Sequence, residues 1–136
     1  MRYLVDTNIL TDFILDDYIS GHILEVIDDF ENQIYVSSES VKEFIHLVQT
    51  GKIVLRKDIR SLDVFDLIEN RLGFKIKYIA KEHLRTLSKL DRIENHNDPS
   101  DRLIIAQAIT ENIPLISCDT KFPKYRKQGL RLIQNR

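Results

Sequence analysis

His96-Asn97-Asp98-Pro99-Ser100-Asp101-Arg102-Leu103-Ile104-Ile105-Ala106-Gln107-Ala108 is the stretch that decides how this chain folds. Asp98 can cap a helix, Pro99 fits the first helical position, and acid in the first turn suits the helix dipole. At about 100° per residue, Asp101 falls on the stripe of Ile104, Ile105 and Ala108, the side that should pack inward. An acid on a core-facing stripe needs a reason. Capping supplies one, because Asp101 stands three residues after the cap, within reach of the cap's own N–H. It does not explain why other apolar runs in the chain also end in acids or hydroxyls.

Downstream, Ile113-Pro114-Leu115-Ile116-Ser117 reads as a strand with proline at its start, followed by Cys118-Asp119-Thr120. Leu130, Leu132 and Ile133 make a last short strand. Upstream, Leu84, Leu87 and Leu90 form a helical stripe, and Phe74, Ile76 and Tyr78 alternate with Lys75 and Lys77 as in a strand near a sheet edge. Ile59, Leu62, Phe65, Leu67 and Ile68 predict a helix closed by Gly73. At the start of the chain, Tyr3-Leu4-Val5 is a strand ending at Asp6-Thr7-Asn8, and Ile9, Leu10, Phe13 and Ile14 take up helical spacing. Ile23, Leu24, Ile27 and Phe30 predict a second helix. Ile34-Tyr35-Val36 is a strand ended by Ser37 and Ser38, with Val41, Phe44, Ile45 and Val48 on the helix after it. Strands alternating with helical crossovers imply an α/β fold, a mostly parallel central sheet with helices on both faces.

In such a sheet the strands share one carboxyl edge, and ligands bind there near a switch in strand order. Asp6, Ser37 and Asp119 follow apolar strands and should meet at that edge. The helix of Asp101, returning to a parallel strand, should start there too. Clustered carboxylates repel by roughly 3 kcal/mol per pair at about 5 Å and an effective dielectric near 20, so cations or protons must offset them. Oxygen donors without a cysteine set or a spaced histidine pair favour Mg²⁺ or Mn²⁺ over zinc. Such ions suit phosphodiester hydrolysis.

With 136 residues, 43% of them hydrophobic, the chain suits one domain over 1–136 with a substantial core. Its 20 basic and 21 acidic residues leave a net charge of -1, so only a local basic patch can argue for nucleic acid. Lys121, Lys124, Arg126 and Lys127, interleaved with Phe122 and Tyr125, form such a stretch, equally readable as a solvated loop. Arg102 reads as a phosphate contact or a structural ion pair, and His96 adjoins the acids. The single Cys118 excludes an internal disulfide and a thiolate cage, and reads as a small core residue. The start lacks the apolar length of a signal peptide and no stretch approaches a membrane span, so the cytoplasm is the expected compartment.

Asp6-Thr7-Asn8, Ser37 followed by Glu43, the Asp98-Pro99-Ser100-Asp101-Arg102 stretch, and Ser117-Cys118-Asp119 before Lys121-Phe122 together resemble a PIN-domain ribonuclease, in particular the VapC-type toxins of toxin–antitoxin pairs. The resemblance spans nearly the whole chain in order and spacing. It implies a Mg²⁺- or Mn²⁺-dependent endoribonuclease whose catalytic and metal-holding acids are Asp6, Glu43, Asp101 and Asp119. Beside these acids, Thr7, Asn8, Ser37 and Thr120 read as supporting partners or as ordinary turn residues, and His96, Arg102, Lys121, Lys124 and Arg126 are candidate RNA contacts. The resemblance also implies a small antitoxin partner that blocks the cleft and a homodimer able to pair again. Periodicity alone makes Glu39 nearly as good as Glu43. Asn97 departs from the pattern, since many such toxins carry a basic residue there. A phospho-receiver module would want adjacent acids after the first strand, where Asp6 is followed by Thr7-Asn8. A protein-binding module without catalysis would have no use for all four acids, and a nuclease of broader specificity would keep them.

Overall fold

The computed structural model describes residues 1–135. Five strands, β1 (Arg2–Val5), β2 (Gln33–Ser37), β3 (Lys75–Lys77), β4 (Leu115–Ser117) and β5 (Leu132–Gln134), form one parallel sheet in the order β3-β2-β1-β4-β5. Around it lie α1 (Thr7–Leu15), α2 (Gly21–Asp28), α3 (Ser38–Gln49), α4 (Lys81–Lys89) and α5 (Pro99–Glu111). A π-helix at Asp66–Arg71 and a 3-10 helix at Phe122–Gln128 complete the described elements.

Successive strand residues face opposite sides of a sheet. Leu4 and Val5 of the central strand are both 0% exposed, so both faces are covered. Val5 packs with Ile9, Leu10, Ile23, Val41 and Phe44 from α1 to α3. Leu4 packs with Ile104, Ile105 and Ala108 of α5 and with Phe122 and Tyr125. The chain first builds outward from β1 through β2 to β3, then crosses to β1's other side for β4 and β5. The strand order therefore switches between β1 and β4, and the residues leaving those two strands flank the crevice.

Several expected elements differ in detail. The predicted helix ending at Gly73 is a run of turns followed by the short π-helix, which buries Leu67 and Ile68 while Leu62 and Phe65 stay exposed. Its apolar residues do not keep one helical phase, and the wider π turn brings two adjacent residues inward. On α4, Leu84 is 51% exposed and His83 is buried in its place. His83 Nδ1 accepts from the Ala80 N–H at 2.9 Å and Nε2 bonds Glu111 at 2.8 Å, so the ring enters the interior with both nitrogens satisfied. Phe30 lies beyond the end of α2 and is 95% exposed rather than packed on that helix. Lys75–Lys77 is an edge strand, as its alternation predicts.

Candidate functional site

Where β1 ends, Asp6 caps α1, its Oδ1 accepting the Ile9 N–H at 2.9 Å. Its Oδ2 accepts a short hydrogen bond from the Ser117 hydroxyl at the end of β4, so this one side chain ties the two strands at the switch point. Burial pushes its carboxyl up to about 6; the bonds from Ser117 and Ile9 act against that rise, and the charge of Asp119 adds to it.

Thr7 follows, buried, with its Oγ1 3.0 Å from Ser40 Oγ and 3.1 Å from Glu43 Oε2. The contact links α1 to α3 and separates the two glutamates that periodicity leaves equivalent. Glu39 accepts from the Ser100 hydroxyl at 2.9 Å and pairs with Lys42 at 2.6 Å, which uses it to hold α3 against α5. Glu43 is turned toward Thr7, and its charge is felt at Asp101. Ser37 is buried and caps α3, its Oγ accepting the Glu39 N–H at 3.1 Å, whereas Asn8 and Thr120 are exposed.

Asp98 caps α5 by accepting the N–H groups of Ser100 and Asp101 at 2.9 and 3.2 Å. That leaves the Asp101 carboxylate free of capping duty. It is half-buried, and burial together with the charges of Asp98, Glu43, Asp119 and Asp6 pushes it up to about 7. Asp119 lies in the turn after β4, its N–H donating to Ser117 Oγ and its Oδ1 accepting the Lys121 N–H at 2.8 Å. Four acids expected from sequence thus act on one another around Asp101. Among the described residues, no lysine or arginine forms an ion pair with any of the four.

Donor atoms of His96, Asp101 and Asp119 lie within 4.8 Å of one another, a spacing that suits a bound cation. His96 is 3% exposed and Arg102 is 8% exposed, which removes both from the surface where an RNA contact would be made. The Arg102 guanidinium instead bonds the carbonyls of Leu90 and Asp91 and the Tyr125 hydroxyl. Of its two sequence readings neither is realised: it is a structural residue, but its partners are neutral oxygens rather than an anion. Lys121 donates to the Asn95 carbonyl, Arg126 donates to that of Leu132, and Lys124 is exposed on the 3-10 helix. Ser40 is a polar neighbour that sequence reasoning missed; Ser117 entered it only as part of a motif, and Tyr125 only as an aromatic within the basic stretch. For Ser40 the signal was present, since it stands one turn before Glu43 on α3.

A PIN domain family model matches residues 3–128. No curated protein matches. Among solved structures, VapBC2 from Rickettsia felis bound to a DNA fragment from its promoter is similar at TM-score 0.69 and 22% identity, with 98% of each chain covered. VapBC-1 from nontypeable Haemophilus influenzae is similar at TM-score 0.70 and 19% identity, again with 98% of each chain covered. VapBC-5 from Mycobacterium tuberculosis, a member of the VapBC family of toxin–antitoxin systems, is similar at 0.61 and 17%, with 99% of this chain and 98% of that one covered. At these identities the structural likeness speaks for the fold, and the family model, which spans most of the sequence, speaks for descent: the chain belongs to the PIN domain family.

Proposed function

We propose that this chain is a Mg²⁺- or Mn²⁺-dependent endoribonuclease, one nuclease domain over residues 1–136, acting in the cytoplasm as the toxin of a toxin–antitoxin pair. The observation that carries the reading is the set of acids at the β1/β4 switch point, none of which pairs with a lysine or arginine among the described residues. Asp101, pushed up to about 7 by burial and by its acidic neighbours, marks a place short of positive charge. The donors are carboxylate oxygens, which suit a hard divalent ion.

Asp6, Glu43, Asp101 and Asp119 would hold the ion directly or through water. When bound, it would make a water easier to deprotonate and offset the charge that builds on the phosphodiester. Ser117 fixes one oxygen of Asp6 and the Ile9 N–H the other, so that carboxylate is oriented before any ligand arrives. Thr7 does the same for Glu43. Lys124 and Lys127, exposed beyond Asp119, are available to phosphates; Lys121 would first have to leave Asn95. The VapBC likeness supports an antitoxin partner, and a homodimer belongs to the same reading.

The test compares wild type with Asp101→Asn on structured RNAs and single-stranded DNA, in Mg²⁺, in Mn²⁺ and with excess chelator. RNA cutting that needs the ion and falls at least about 100-fold in a folded mutant is the expected result. Cutting that survives the substitution, or no cutting by antitoxin-free protein across a broad RNA panel, would count against it. Equal cutting of DNA would keep the chemistry and remove the RNA specificity.

A further inference from the structure

His96 is enclosed edge-on by the rings of Phe122 and Tyr125, at centroid distances of 5.7 and 5.3 Å. Its Nδ1 lies 2.6 Å from the Tyr125 hydroxyl oxygen. Its Nε2 is buried and has no hydrogen-bond partner among the described residues, and Asp101 Oδ2 lies 3.5 Å away. An unpartnered ring nitrogen in the interior, aimed at the most perturbed acid of the site, requires an explanation.

The tautomer follows from counting protons. Tyr125 Oη also lies 3.4 Å from the Arg102 guanidinium, which can only donate. The tyrosine oxygen therefore accepts from Arg102, and its single proton is left for His96 Nδ1. A neutral imidazole that accepts at Nδ1 carries its own proton on Nε2. The opposite tautomer would strand the tyrosine proton and aim an Nε2 lone pair at a carboxylate.

We propose that His96 is a positioning residue for Asp101: Tyr125, anchored by Arg102, holds the ring in its Nε2–H tautomer, and Nε2–H donates to the Asp101 carboxylate. The 3.5 Å gap is longer than a good hydrogen bond and closes with a small rotation of the Asp101 side chain. Donation from Nε2 favours the charged carboxylate and uses one of its two oxygens, leaving the other for a cation. His96 is then not itself a metal ligand, although one of its ring nitrogens stands within 4.8 Å of donor atoms of Asp101 and Asp119. This rests on the metal-nuclease reading for its purpose but not for its geometry.

The experiment is ¹⁵N NMR of histidine-labelled full-length protein, with the His96 signals assigned by loss in His96→Gln. The expected spectrum has Nε2 protonated and Nδ1 unprotonated, before and after Mg²⁺. A proton on Nδ1, or loss of the Nε2 proton when Mg²⁺ is added, overturns the role. In parallel, Mn²⁺ affinity is read by electron paramagnetic resonance. His96→Gln keeps an N–H donor of similar reach and should stay within about threefold of wild type, while His96→Leu should lose about 10- to 100-fold. Equal losses in the two variants point to a direct ligand, and no loss in either points to packing alone; both overturn the proposal. Should His96→Leu fail to fold, Tyr125→Phe removes only the hydroxyl, and a fixed tautomer in that variant sinks the idea equally well. Wild type that binds no Mn²⁺ refutes the metal reading, whereas Mn²⁺ binding with an Nδ1-protonated ring refutes the role of His96 alone.

Discussion

Thr7 shows how much a single hydroxyl does at this site, because it touches both Ser40 and Glu43 and so joins α1 to α3 beside the acids. Thr7→Val keeps the shape and removes that contact, leaving Glu43 without its anchor. Supporting partners of this kind are typically worth about 10- to 100-fold in activity or metal affinity. The expected outcome is a folded protein with RNA cutting reduced in that range, measured as single-turnover cleavage at saturating Mn²⁺. Thr7 was legible in the sequence as a neighbour of Asp6; the choice of Glu43 over Glu39 came from the family resemblance and not from periodicity. Both glutamates occupy the polar side of one helix, and only the positions of Ser100 and Thr7 on other elements separate them.

At the scale of elements, α5 carries Asp101 because its start is fixed by Asp98 and Pro99. Asp98→Ala removes a side chain that accepts two backbone N–H groups, which costs about 1 kcal/mol, or roughly 4 °C in thermal midpoint for a domain this size. It also removes a negative charge beside Asp101, so the Asp101 carboxyl should titrate lower in the variant. Calorimetry and carboxyl ¹³C NMR check the two parts separately. Capping and amphipathic phase made α5 readable from sequence. The π-helix and the 3-10 helix were not readable, since each is shaped by what it packs on: Leu67 and Ile68 on one face of the sheet, Phe122 and Tyr125 on the other.

For the whole molecule the acids have a thermodynamic consequence. Asp6 and Asp101 are raised in the fold to about 6 and about 7 from 3.8, so between those limits the native state binds more protons than the unfolded chain. Stability without metal should therefore fall progressively as pH rises from about 4 to about 7. Asp101→Asn should flatten that slope in urea titrations run with chelator. Divalent ion should restore stability at high pH, adding about 2.7 kcal/mol at a concentration 100 times its dissociation constant. Because the ion competes with protons for the same carboxylates, its affinity should weaken below about pH 7. A metal-free protein equally stable at pH 5 and pH 8 would contradict this account.

The sequence by itself determined the parallel α/β architecture, the cap and phase of α5, and the placing of Asp6 and Asp119 just after apolar strands. These depend on local periodicity, capping chemistry and the ends of apolar runs, all of which are written in neighbouring residues. Only the tertiary structure decided that β1 and β4 lie side by side, that Glu43 rather than Glu39 faces the acids, and that Arg102 and His96 are interior. Those outcomes turn on contacts between elements far apart in the chain. The Tyr125 hydroxyl, between His96 and Arg102, is one such contact, and no spacing along the chain encodes it.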